Sequence, residues 1–226
     1  MYNTNLVEEI LKRPDAALQF EYFQKAMTEE KARRKAFYEW VTEDMKAEFI
    51  NGEIVVHLPV KKRHWGANNL LSRLLNIFAS IRKLGSIGTE KVMISLTRND
   101  YESDLVFFSN EKVKTFEEDQ VLFPAPDFVV EILSPSTAKN DKTTKKDDYA
   151  LYGIKEYWII DPAKQQIDQY ILSEGSTTYF PAKTYRLGEA ISSSAIEGFV
   201  MDVAAIFDEQ VNLATMQAFL RDASRR

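Results

Sequence analysis

The chain has 226 residues, 45% of them hydrophobic and 28% charged, with a formal net charge of −5 and no cysteine. This length suits one globular domain with terminal additions and is short for two independent domains. The lack of thiols excludes disulfides, thiolate metal sites and thiol nucleophiles, and a polyanionic partner would have to be met by a local basic patch.

The first forty residues are charged and helix-prone, and the apolar residues between Leu18 and Phe37 fall roughly at helical spacing. They predict two helices, or one bent helix. We therefore expect a helical N-terminal extension over residues 1–35, followed by one domain over residues 36–226. The first residues lack the basic start and apolar centre of a secretory signal, and no apolar run approaches the length of a bilayer span. A cytoplasmic location without membrane contact is expected.

A turn and a strand follow the helical region. Asn51-Gly52 is a strong hairpin signal, and residues 54, 56 and 58 are apolar between polar positions. A long amphipathic helix is then predicted from His64, with Gly85 as its expected stop.

Short strands dominate the rest of the chain. They are predicted at residues 91–97, 103–109, 126–135, 156–161, 166–172, 177–180, 183–187 and 190–193. One helix is predicted over residues 139–153, ended by Gly153, and another closes the chain. The pattern predicts an α/β protein of the α+β kind, in which a mixed sheet is flanked by helices.

The strand PDFVVEILSP carries Glu131 between valine, isoleucine and leucine residues. A buried carboxylate is costly unless a proton, a cation or a metal ion compensates it. Asp127 shares the face of Glu131, but roughly 13 Å separate their backbones, too far for both to reach within about 2.1 Å of one Mg²⁺. Asp104 opens the strand SDLVFFS, and carboxylates on adjacent strands can lie about 5 Å apart. Asp104 and Glu131 are therefore the candidate pair for one hard cation.

Several motifs in the same order resemble those of one bacterial family. PDFVVEILSPST is followed by Lys145, Tyr149, Gly153 and EYWIIDP, with AEFINGEIV and ESDLVFFS upstream and EGFVMDVAAIF downstream. Over roughly residues 36–207 the chain is similar to the Uma-type family of putative endonucleases. That family belongs to the PD-(D/E)XK superfamily, whose members have a restriction-endonuclease-like fold.

The resemblance implies a Mg²⁺-dependent (or Mn²⁺-dependent) endonuclease that hydrolyses DNA. It makes Asp104 and Glu131 the metal-binding acids and Glu48 a further acidic member of the site. Leu133 stands where the superfamily has lysine, and Lys145 of the following helix is the implied replacement. Nucleases that cut both strands often act as dimers, so the aromatic residues of FEYF, at residues 20–23, are a candidate homodimer interface.

Other interpretations remain open for the individual residues. Glu131 could form only a salt bridge with a helix lysine, and Lys145 could face solvent within its charge-rich helix. Asp127 is better explained as a turn cap. The two histidines, His57 and His64, match no zinc motif, so local structural roles are favoured.

Other interpretations also remain open for the function. The stretch KKRHW, at residues 61–65, is either a basic anion patch with an aromatic residue for stacking or a solvated helix start. The protein as a whole could be a catalytically inactive nuclease fold that binds nucleic acid or protein. It could also be a metal-free hydrolase that acts on sugars with two carboxylates.

Overall fold

The computed structural model describes residues 4–224, so residues 1–3 of the predicted extension and residues 225–226 of the predicted tail lie outside the described residues. The helices are α1 (Thr4–Leu11), α2 (Ala16–Trp40), α3 (Lys62–Arg82), α4 (Asn110–Val113), α5 (Ala138–Asn140), α6 (Lys146–Leu151) and α7 (Glu209–Ala223). A π-helical turn, Asp141–Lys145, joins α5 to α6, and a 3-10 turn, Val203–Ile206, precedes α7. No helix in this described part of the chain combines the length and the apolar character that crossing a bilayer requires.

The strands form two larger sheets and one hairpin. They are β1 (Ala47–Ile50), β2 (Glu53–Val56), β3 (Gly85–Thr89), β4 (Met93–Ser95), β5 (Asp100–Glu102), β6 (Leu105–Ser109), β7 (Leu122–Phe123), β8 (Phe128–Ile132), β9 (Glu156–Asp161), β10 (Gln166–Ile171), β11 (Lys183–Arg186), β12 (Ala190–Ser192) and β13 (Val200–Asp202). One sheet has the order β2-β1-β5-β4-β7, the second has the order β11-β10-β9-β8-β6-β3, and β12 pairs with β13. Because β8 and β9 are parallel and the other pairs of their sheet are antiparallel, this sheet is mixed, as predicted.

The central strand β8 is buried at every position. Its side chains alternate between two apolar clusters. Val130 and Ile132 pack on the side of α3 with Trp158, whereas Val129 packs on the side of α6 with Tyr149. Glu131 shares the face of Val129, so its carboxylate lies between the sheet and α6.

Helix α2 is fixed to the five-stranded sheet by its C-terminal half. Arg34 donates to both oxygens of Asp100 at 2.6 Å, and Phe37 is fully buried. The N-terminal half leaves Phe20 and Phe23 mostly exposed. The helix runs without a break across residue 35, where the sequence predicts the boundary between extension and domain, and that boundary stays a prediction.

Several elements differ from those that the sequence predicts. The hairpin at Asn51-Gly52 is confirmed, since both residues have positive φ and β1 pairs with β2. The strand predicted at residues 177–180 is wrong, because the segment has no strand conformation, although the amide of Phe180 donates to the carbonyl of Ile171, and Tyr179 packs partly buried against the apolar cluster on the side of α6. The glycine-containing strand β3 was not predicted. It pairs with β6, and a Cβ on Gly88 would meet Val106 at 2.8 Å.

Candidate active site

The pairing of β6 with β8 brings two of the predicted acids together. Leu105 pairs with Val130 in this antiparallel register, so Asp104, one residue earlier, lies across from Glu131. The carboxylate of Asp104 also accepts a 2.8 Å hydrogen bond from the amide of Ile132. Each of the two acids is only 4% exposed. Adjacent strands therefore hold both carboxylates in the protein interior.

Lys145 supplies the positive charge that Glu131 needs. Its ammonium nitrogen Nζ lies 3.1 Å from Oε1 of Glu131, and the hydroxyl of Tyr149 donates to the same oxygen at 3.1 Å. The Lys145 side chain is 1% exposed, so the interpretation that it faces solvent is wrong. Tyr149 contributes a hydrogen bond to the acid in addition to its packing in the core.

The Lys145 ammonium is shared by two further carboxylates. Its Nζ lies 2.8 Å from Oε1 of Glu48, on β1, and 3.3 Å from Oδ1 of Asp141. Both acids are 1% exposed. Glu48 therefore contacts the same ammonium as Glu131, although the five-stranded sheet carries it, and its role in a site stays a prediction from the family resemblance.

A π-helical turn carries Asp141 and Lys145 at its two ends. Such turns occur mostly as single insertions in α-helices, frequently at functional sites. The sequence predicts that Asp141, Lys145 and Tyr149 share one helix face. The contacts agree, because Asp141 reaches Lys145 while Lys145 and Tyr149 both reach Glu131.

Positive and polar groups that the sequence analysis did not assign surround Asp104. Lys46 donates to its Oδ1 at 2.9 Å, and Nε2 of His64 lies 3.3 Å from its Oδ2. The other histidine, His57, lies 3.1 Å from Oε2 of Glu48. Lys46 precedes β1 and shares the strand face of Glu48 at a spacing of two residues, which is the sequence signal that could have found it.

The predicted acid Asp127 lies apart from this cluster. Its carboxylate accepts a 2.9 Å hydrogen bond from the amide of Ser109 and contacts Lys112 at 3.1 Å. Its hydrogen bond joins the start of β8 to the end of β6, so Asp127 has a structural role, through a long-range contact and not through a cap of its own turn.

The buried acids of the cluster have pKa values shifted in opposite directions. Burial raises the pKa of Glu131 to about 8, against the attraction of Lys145 and with the repulsion of Asp141 and Asp104. Burial also opposes ionisation of Asp104, but His64 and Lys46 hold the pKa of that carboxyl well below its usual range. At neutral pH, Asp104 is therefore ionised, whereas Glu131 on the neighbouring strand keeps its proton.

The ammonium of Lys145 is stabilised in its charged form. Burial lowers the pKa of this lysine, but the neighbouring Glu131, Glu48 and Asp141 carboxylates outweigh burial and raise it well above its usual value. Lys145 is therefore a hydrogen-bond donor and a fixed positive charge at neutral pH.

Asp104 and Glu131 line one small cavity of about 40 Å³ together with Lys46, His57 and His64. A cavity of this measure needs about 10–15 Å³ to admit one water, so there is room for an ion with water. No cluster of three or more acidic or histidine side chains suited to a metal ion occurs within residues 4–224. Mg²⁺ is commonly held by one or two carboxylates, with waters and substrate phosphates as the other ligands. The pair of acids fits such an ion.

Comparison with known proteins shows which family and which fold this chain resembles. The model of the Uma2 family, described as "Putative restriction endonuclease", matches residues 34–204. The fold is similar to the crystal structure of a putative nuclease belonging to DUF820 from Anabaena variabilis ATCC 29413. The two chains are 17% identical with a TM-score of 0.66, over 76% of this chain and 94% of the other. The comparison with curated proteins found no match.

Proposed function

This chain belongs to the Uma2 family of putative restriction endonucleases, and from that premise we propose that it is a Mg²⁺- or Mn²⁺-dependent endonuclease that hydrolyses DNA. The observation that carries the proposal is the shared cavity of Asp104 and Glu131, with the Lys145 ammonium 3.1 Å from the second acid. Two hard oxygen ligands beside a fixed cation suit a reaction in which negative charge develops on a phosphate.

Asp104 and Glu131 would hold the metal ion in this proposal. A bound divalent ion lowers the pKa of a water ligand and offsets the charge that develops during phosphodiester cleavage. Asp104 is ionised at neutral pH, whereas Glu131 holds a proton until about pH 8. Occupation of the site would therefore release the Glu131 proton.

Lys145 acts as a charged donor rather than as a base, because the neighbouring acids keep it protonated. Its Nζ holds the carboxylates of Glu131 and Glu48 in place, and it can stabilise negative charge on the reacting phosphate. Tyr149 fixes the Glu131 carboxylate from the same helix face. We expect the substrate to be DNA, the location to be cytoplasmic and the protein to form a homodimer.

A plasmid-nicking assay with Mg²⁺ tests the proposal. We expect wild-type protein to nick the plasmid, EDTA to abolish the activity, and Glu131→Gln to be inactive because the amide is a poorer metal ligand. Asp127→Asn is the matched control. Because Asp127 lies outside the cluster, this variant should nick the plasmid as wild type does. Equal nicking by wild type and Glu131→Gln would refute the proposed mechanism.

A second candidate function is a catalytically inactive nuclease fold that binds nucleic acid or protein. The observation that favours it is the contact of the Lys145 ammonium with three acids, which offsets part of their charge without a metal. Calorimetric titration with Mn²⁺ separates the two functions. Binding that Glu131→Gln abolishes supports the enzyme, and no heat of binding to the wild type supports the inactive module.

A further inference from the structure

The first turn of α3 has an unfavourable arrangement of charges. Lys61 is its N-cap, Lys62 and Arg63 follow, and the turn contains no acidic residue. The N-terminus of a helix carries a partial positive charge and favours anions there. Three consecutive cations at this position repel the helix dipole and one another, so the arrangement suits a ligand with negative charge.

The polar groups of this turn also lack partners. Within residues 4–224, no hydrogen bond or ion pair joins the side chains of Lys61, Lys62 and Arg63 to another group, and all three are exposed. Lys61 provides no capping side chain. The first amide with an internal acceptor is that of His64, at 2.8 Å from the carbonyl of Lys61. Two backbone amides therefore remain available at the helix start, the geometry that binds phosphate groups.

A concave surface connects this turn with the candidate active site. A cavity of about 210 Å³ is lined by Lys61, Arg63 and His64, and the 40 Å³ cavity of Asp104 and Glu131 shares His64, Leu58 and Val60 with it. On the far side, Arg63 also lines a third cavity, together with Lys62. The 210 Å³ cavity thus shares lining residues both with the cavity of the acid pair and with the third cavity.

His64 provides an independent sign of a ligand. The side chain is 7% exposed, and its Nδ1 is a buried nitrogen with no hydrogen-bond partner within the described chain, although Nε2 contacts Asp104. A buried polar atom without a partner is costly. A water molecule that donates one proton to Nδ1 and the other to a phosphate oxygen would satisfy it.

We propose that the first turn of α3, with Lys61, Lys62, Arg63 and His64, binds the backbone phosphate of a nucleic acid next to the phosphate that is cleaved. The inference rests on the proposed function, because the acid pair defines where cleavage would occur. It also explains how a chain with a net charge of −5 could bind a polyanion, since the unpaired cations form a local patch at the cavity itself.

Salt-dependent binding of a labelled DNA duplex, measured by fluorescence anisotropy in EDTA so that no cleavage occurs, tests the proposal. The test variant carries Lys61→Gln, Lys62→Gln and Arg63→Gln. Removing one phosphate contact reduces the slope of log affinity against log salt by about 0.9, so we expect a slope shallower by at least that amount and affinity several-fold weaker.

Arg221→Gln is the matched control. Arg221 is an exposed helix cation near the ion pair of Arg82 with Asp222, at the other end of α3, roughly 30 Å away for a helix of this length. The Arg221→Gln variant should therefore have the same salt dependence and the same DNA affinity as wild type. The single variants at residues 61, 62 and 63 are measured in parallel. Substitutions at exposed positions usually change stability by less than about 0.5 kcal/mol, so their loss of binding does not reflect unfolding.

The outcomes separate this inference from the proposed function. If wild type cleaves DNA and the triple variant binds with the same slope and affinity, the phosphate site is refuted and the nuclease stands. If wild type neither binds nor cleaves DNA, both are refuted. Calorimetry with Mn²⁺ alone should give equal affinity for wild type and triple variant, and a lost Mn²⁺ site would contradict a role limited to phosphate binding.

Discussion

Replacement of Lys145 by methionine is the most direct test of the buried charge cluster. Methionine has nearly the length of lysine but no charge, so Glu48, Glu131 and Asp141 would keep their burial and lose the ammonium that now lies 2.8, 3.1 and 3.3 Å from them. Removing one partner of a buried ion pair costs about 3–5 kcal/mol. Because one cation here serves three acids, the upper part of that range is expected.

The melting temperature measures this loss. For a chain of this size, 1 kcal/mol shifts the melting temperature by about 2–4 °C, so a loss of about 4–5 kcal/mol should make Lys145→Met in EDTA melt roughly 8–20 °C below wild type. Circular dichroism at constant pH and salt provides the measurement. Lys146→Met is the matched control, since the neighbouring lysine is partly exposed and contacts Asp147, at 3.5 Å, and the ring of Tyr170, at 6.0 Å from its centroid, but none of the three buried acids.

A double variant shows whether the cost comes from the uncompensated acids. Adding Glu48→Gln to Lys145→Met removes one of them, because the pKa of Glu48 is lowered and its carboxylate is ionised at neutral pH. Part of the lost stability should therefore return, as a coupling between contacting residues. If Lys145→Met melts within about 2 °C of wild type, which corresponds to at most about 1 kcal/mol, the ammonium does not stabilise the cluster and the reasoning is refuted.

Three further predictions concern pH, association and packing. The pKa of Glu131 is raised from 4.5 to about 8, so the folded chain binds this proton more tightly than the unfolded chain. The stability that the proton contributes is complete below about pH 4.5 and is lost as the pH rises to about 8. Relative to Glu131→Gln in EDTA, the unfolding free energy of wild type should fall by up to about 1.4 kcal/mol per pH unit in this window, and parallel profiles would contradict the shift. Phe20 and Phe23 are 62% and 54% exposed and are expected to form a homodimer interface. Sedimentation should therefore show a wild-type dimer and a monomeric Phe20→Ser/Phe23→Ser variant, and a wild-type monomer would exclude this interface. The buried Glu156 accepts hydrogen bonds from Trp158, Gln169 and the turn at residues 193–195. Glu156→Ala should lower the unfolding free energy, measured in urea, by more than about 3 kcal/mol because several donors lose their acceptor. A loss below about 1 kcal/mol would mean that those donors find other partners.

The sequence predicts the strand acids because their positions follow from local rules. The rise per residue along one strand separates Asp127 from Glu131 by roughly 13 Å, and an adjacent strand supplies Asp104 instead. The structure places the two residues across from each other at the ends of β6 and β8. The hairpin at Asn51-Gly52 was predictable for the same reason, since two residues determine the turn.

The groups around those acids were harder to predict because their positions depend on contacts between distant parts of the chain. Lys46 and His57 flank the β1–β2 hairpin, whose sheet position depends on pairing with the distant β5. The π-helical turn at Asp141 has no signal in a sequence that is typical of an ordinary helix. His64 lies within a basic stretch, and only the fold shows that its ring is buried against Asp104.

The charge balance of the cluster connects its stability with its proposed chemistry. Four buried carboxylates, those of Glu48, Asp104, Glu131 and Asp141, face two ammonium groups, those of Lys46 and Lys145. When all six groups are ionised and the histidines are neutral, two negative charges remain uncompensated. A cluster with only a structural role would be more stable if each acid had its own cation, because unpaired buried charge is costly. In the absence of a metal, the proton that Glu131 keeps until about pH 8 offsets one of these charges. A divalent cation in the cavity shared by Asp104 and Glu131 would offset both, and this excess of acid is the property that a salt bridge alone does not explain.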